Sequence, residues 1–194
     1  MSCALFVAMT ITVTPGMLQF TNRVNDYVEI HRRLAASIEQ PLCSDAEELT
    51  RQADVLAAAI RDARPQAREG DIFSLPVAEL FRERIAATVR RTNFDVAAFL
   101  KRHSGDGEEL ELHVFGMLPW RTHVAVMPLL GALPELPPEL EYRIAGRHLV
   151  LMDIGANMVV DVLRDALPLP VDAPVPVAPD TPCAAHPELD TCWM

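Results

Sequence analysis

The sequence predicts an α+β domain that is mainly helical, with an αα-hairpin, two further helices and a C-terminal three-stranded antiparallel β-meander. Three observations predict it. Apolar residues recur at helical spacing in four stretches before residue 103. Short β-branched runs separated by tight-turn residues fill 141–163. The 194-residue length suits one domain with a single core.

The first helix is expected from about Thr21 to Glu39. Val24, Tyr27, Val28, His31, Leu34, Ala35 and Ile38 form its stripe, and Gln40-Pro41 ends it. Ser44 followed by Glu47 has the spacing of a capping box, so a second helix should start there. Its face is Ala46, Leu49, Ala53, Leu56, Ala57 and Ile60, and Arg64-Pro65 breaks it. The short connection makes these two an antiparallel hairpin. A third helix runs from about Leu75 to Arg91 behind Ser74, with Pro76 tolerated in the first turn. A shorter helix covers Asp95 to Arg102, and Ser104-Gly105-Asp106-Gly107 stops it. Leu110 to Phe115 alternates like a strand. Five prolines between Met117 and Pro138 leave that stretch irregular, apart from one helical turn near Leu129 to Leu133. The meander comprises Glu141 to Ala145, His148 to Ile154 and Met158 to Leu163, joined by turns at Gly146-Arg147 and Gly155-Ala156-Asn157. Both faces of these strands are apolar. The helices should cover one face and the loop around Trp120 the other.

Domain organisation follows: a signal-peptide-like segment at 1–16, one globular domain at 17–167 and a disordered proline-rich tail at 168–194. The tail carries seven prolines in 27 residues. Ala4 to Val13 is a ten-residue apolar run, long enough for a leader core and too short to span a bilayer, although no Lys or Arg precedes it. The expectation is therefore a periplasmic or secreted protein, and a cytoplasmic one if the segment is not a leader. Cys183 and Cys192 are close enough in sequence to pair in an oxidising compartment. Cys3 would leave with a leader, and Cys43 would remain as a single thiol.

A formal net charge of −10 argues against nucleic acid and anionic lipid as partners, so any partner is expected to be a protein of unknown kind. Arginines alternate with acids, as in Arg82-Glu83-Arg84, which is the pattern of solvated helix faces. No nucleotide-binding or nucleophile motif is present, and no cofactor is expected. His31, His103, His113, His123, His148 and His186 never fall at i, i+3 or i+4, so no helical metal site is expected. His31 reads as a core-edge histidine bonded to backbone or to Asp71. Cys43 beside Ser44 is either a reactive thiol at a helix start or an inert loop cysteine. The richest polar set is Arg64, Arg68, Asp71, Arg143, Arg147, Asp153 and Asp161. Asp153 and Asp161 interrupt apolar strands, and a carboxylate buried there needs a partner, for which Arg143 or Arg68 is available. The set reads first as structural ion pairs. It reads second as a small site with Asp153, Asp161 and Arg143 as catalytic candidates.

Three segments, VNDYVEIHRRL (24–34), AIRDARPQAREGDIF (59–73) and LPPELEYRIAGRHLVLMDIGANMVVDVL (136–163), together resemble a family of uncharacterised exported bacterial proteins. The resemblance covers about residues 20–167. It implies a signal peptide and export, and it supplies no catalytic residues. Residues 136–163 alone are also similar to the C-terminal module of periplasmic nickel/cobalt efflux regulators. The expected function is a non-enzymatic exported interaction or scaffold domain of the bacterial envelope. The alternatives are a hydrolase using Asp153 and Asp161 with an arginine and, third, a periplasmic metal-handling protein.

Overall fold

A proline at the first helical position and five inward side chains at helical spacing define α1 (Pro15–Ala35) in the computed structural model, which describes residues 14–38, 45–103, 111–118 and 124–168. The inward residues are Phe20, Val24, Tyr27, Val28 and His31. The helix starts six residues before the sequence expectation. Phe20 draws its first turns into an aromatic cluster, 4.9 Å from Phe81 and 6.2 Å from Phe73 between ring centroids. Pro15 and Gly16, read from sequence as the end of a leader-like segment, form the first turn. A Cβ on Gly16 would come 3.2 Å from the Pro76 carbonyl oxygen, so the small residue permits this close crossing.

Helix α2 (Ala46–Ala63) is capped by Asp45, whose carboxylate accepts from the Glu48 N–H at 2.9 Å. The cap is one residue later than the expected Ser44, which lies outside the described residues. Leu56, Ala57 and Ile60 are buried as expected, but Leu49 is 56% exposed. Only the C-terminal half of α2 meets the core. Helix α3 (Leu75–Thr92) follows Ser74, whose hydroxyl bonds Gln19 on α1 rather than capping its own helix. Helix α3 ends at Asn93 in the left-handed region. Asp95 accepts from Ala98 N–H at the start of α4 (Val96–His103), and the late helical turn is α5 (Met127–Leu130). Helix α1 packs on α2 and α3, so the expected helical hairpin is present.

Strands β1 (Leu140–Ala145), β2 (His148–Asp153) and β3 (Met158–Leu163) form an open antiparallel sheet in the order β1-β2-β3. Ala145 pairs with His148 across a two-residue turn in which Gly146 has φ +57°. Leu151 pairs with Asp161 and Met152 with Val159, so Val160 is an extra residue, a β-bulge beside Asp161. One sheet face, with Leu140, Tyr142, Ile144, Leu149, Leu151, Met158 and Leu163, packs into the helical core. The other, with Val150, Met152, Val159 and Val162, packs against Leu112 and Leu118. Those two residues precede Trp120, the expected cover, which itself lies outside the described residues.

The strand expected at Leu110 to Phe115 does not form among the described residues. Residues 111–118 turn at Val114-Phe115, with Phe115 at φ +68°. Their backbone hydrogen bonds to β3 among the described residues are Phe115 N–H to Val159 O and Val159 N–H to Gly116 O, both 2.8 Å. At the opposite edge Val124 exchanges hydrogen bonds with Ile144. No helix among the described residues is long and apolar enough to cross a membrane. Residues 1–13, Cys43, His123 and the tail from 169 onward, with Cys183, His186 and Cys192, lie outside the described residues.

Candidate functional site

Tyr27 and His31 stand one helical turn apart, so α1 presents both polar side chains on its buried face. They meet Asp153 at the end of β2, a residue with 0% exposure. Asp153 Oδ2 accepts from the Tyr27 hydroxyl at 2.6 Å and lies 2.6 Å from His31 Nδ1. Its Oδ1 accepts from Ala156 N–H at 2.8 Å, which also fixes the β2–β3 turn. An ionised carboxylate there assigns the proton to Nδ1, because only Nδ1–H can donate to it. The hydrogen bond to Asp153 raises the His31 pKa above its ordinary value, against the opposing effect of burial. Burial, with the adjacent Asp153 charge, pushes the Tyr27 hydroxyl pKa well up, so this phenol stays protonated.

The neighbours complete this junction. Arg64, at the end of α2, lies with its guanidinium 5.1 Å from the Tyr27 ring centroid. Its Nη1 is buried and has no hydrogen-bond partner among the described residues, and Asp71 is 4.0 Å from its other terminal nitrogen. Arg32 donates twice to Glu139, at 2.6 and 3.1 Å, and the Glu139 carbonyl accepts from Ile154 N–H. A Cβ on Gly155 would sit 3.1 Å from His31 Cε1 and 3.6 Å from Asp153 Oδ1, so the missing side chain makes room for the imidazole.

Asp161, the second in-strand carboxylate, is also 0% exposed. Oδ2 accepts from Ile72 N–H and Phe73 N–H, both at 2.7 Å, while Oδ1 accepts from Gly70 N–H and Val162 N–H at 2.8 Å. Burial raises its pKa, and the four N–H donors oppose that rise. Gly70, at φ +87°, turns the chain so that the amides of the 70–73 loop converge on the carboxylate.

The partners therefore differ from the sequence expectation. Among the described residues neither aspartate is paired with an arginine. Arg143 binds Glu141 on its own strand, both contacts 2.6 Å. Arg68 is 3.7 Å from Asp71, and Arg147 is 3.3 Å from Asp165. His31 bonds Asp153 rather than backbone or Asp71. No hydrogen bond links Asp153, Asp161 and Arg143 to one another among the described residues. Sequence reasoning missed Tyr27 as a partner, although two polar tips one turn apart on an apolar stripe signal a shared buried acceptor.

The arrangement can hold protons at defined atoms and join segments, with both carboxylates committed to named donors. A shallow groove of about 260 Å³, lined by Thr14, Gly16, Pro76, Glu79, Leu80 and Glu83, lies between the starts of α1 and α3, and none of these residues bonds either aspartate. Among the described residues no three His, Cys, Asp or Glu side chains converge as a metal site. Comparison with family models, curated proteins and solved structures finds no match.

Proposed function

We propose that this chain is a non-enzymatic exported domain, an interaction or scaffold module of the bacterial envelope that works with a protein partner. The observation that carries the reading is the commitment of both in-strand carboxylates to the fold. Asp153 ties α1 to the meander, and Asp161 ties the 70–73 loop to it. Export rests on the apolar run at Ala4 to Val13 and on the family resemblance, and the net charge of −10 fits a protein partner better than an anionic surface.

A second reading, a hydrolase, is favoured by one observation. Asp153 orients the His31 imidazole through Nδ1, and Nε2 has no hydrogen-bond partner among the described residues. Asp153→Asn separates the two. If Asp153 is a clamp, the change deprives the buried His31 imidazole of its ionic partner, and denaturation should show a loss of about 2–4 kcal/mol. A variant that keeps wild-type stability would reject the clamp and favour a site. Export is tested by fusing alkaline phosphatase, which gains its disulfides only outside the cytoplasm, after Pro168. An inactive but full-length fusion would overturn the envelope assignment.

A further inference from the structure

The contact between His31 and Asp153 spans 122 residues of chain and joins α1 to β2. We infer that it is a proton-dependent latch, tight while the imidazole carries both protons and looser once it carries one. The charged and titratable groups around His31 define how it works. Asp153 faces it from β2, Glu139 from the segment before β1, and Tyr27 and Arg32 from α1 itself. Arg64 comes from the end of α2 and lies over the Tyr27 ring. The β2–β3 turn contributes Gly155 and the Ala156 N–H and no titratable group beside the ring, and Leu56 approaches the same spot from α2.

Arg32 and Glu139 neutralise each other through two hydrogen bonds. Protonated His31 is then the one cation in direct contact with the Asp153 carboxylate among the described residues. When the imidazole loses its second proton, Nδ1–H still donates, but Asp153 is left as a buried anion held by neutral donors alone. A buried charge without its counter-ion is costly, so the junction weakens without losing its geometry. The sign follows from the raised pKa of folded His31. Stabilisation is complete below about pH 6.5, the ordinary histidine value, and is lost as pH rises through the folded value.

Hydrogen exchange on the full chain across pH 5.5–9, corrected for intrinsic amide rates, tests the latch. Opening of the amides around Tyr27–His31 and Gly155–Asn157 should rise several-fold with pH in the wild type. His31→Gln keeps an amide donor for Asp153 and cannot titrate, so its profile should be flat. Tyr27→Phe should open more at every pH and keep the wild-type slope. A flat wild-type profile, or the wild-type slope in His31→Gln, overturns the latch. If His31→Gln does not fold, the wild-type imidazole Cε1 proton decides by NMR. Titration above the ordinary histidine value supports the latch, and titration at or below it overturns it.

Discussion

Asp161→Asn is the sharpest test of what holds the meander to the rest of the chain. The substitution is nearly isosteric, so packing stays constant while the hydrogen bonding and the buried charge change. In the native protein each carboxylate oxygen accepts two backbone N–H groups. An asparagine amide keeps one oxygen and puts an NH2 where the other was. In one orientation Ile72 and Phe73 lose their acceptor, and both amides are buried. In the other, Gly70 and Val162 lose theirs, and the half-buried Gly70 can turn to solvent, so this is the cheaper choice. An orphaned buried donor costs about 1–3 kcal/mol and the lost Gly70 hydrogen bond about 0.5–1.5 kcal/mol, which gives roughly 2–4 kcal/mol for the cheaper orientation. Removing the buried charge returns part of that, since burial already raises the Asp161 pKa. The net expectation is a loss of ~2–3 kcal/mol, a sizeable share of a domain's typical ~5–15 kcal/mol. Urea denaturation should show a lower midpoint with an unchanged m-value. A loss under ~0.5 kcal/mol would refute the view that Asp161 organises the 70–73 loop.

Three further substitutions probe the same architecture. Leu56→Ala removes a buried side chain beside the His31–Gly155 contact and should cost about 2–5 kcal/mol in denaturation, where a loss near zero would mean α2 does not pack there. Gly155→Ala places a methyl 3.1 Å from His31 Cε1, and the forced shift should cost about 1–3 kcal/mol. A neutral Gly155→Ala would show that the imidazole has room to move. Arg143→Ala breaks a half-exposed pair with Glu141 and should change stability by no more than about 1 kcal/mol, so a larger effect would give Arg143 a role that its contacts do not supply.

The meander was legible because its signals are local. Gly146 and Asn157 mark the turns, and the β-branched runs between them have nothing else to form. Helix α3 was legible for the same reason, with Pro76 in its first turn and Val77, Phe81 and Ile85 at helical spacing on its buried face. The beginning of α1 was not, because aromatic packing of Phe20, a tertiary effect, extends it. Leu110 to Phe115 alternates like a strand, yet the left-handed Phe115 turns the chain, which exchanges backbone hydrogen bonds with Val159 at Phe115 and Gly116. At the site, sequence showed that Asp153 and Asp161 needed partners and could not supply their identity. Composition favours arginine as the answer to a buried carboxylate. The fold instead uses a tyrosine, a histidine and a row of loop amides, donors that carry no motif.

The sequence separation of these contacts bears on how the domain is made. Asp153 meets Tyr27 and His31 across 126 and 122 residues, and Asp161 meets the 70–73 loop across 88–91. During synthesis the helices emerge long before the acceptors that seat them. Until then α1 exposes Phe20, Val24 and Val28 together with two polar tips that have no partner. Non-local closure of this kind slows folding, and apolar surface left waiting invites association with other chains. Strands β2 and β3 therefore complete helices made well before them, and a nascent chain interrupted before Asp153 carries an amphipathic helix with no carboxylate to close on.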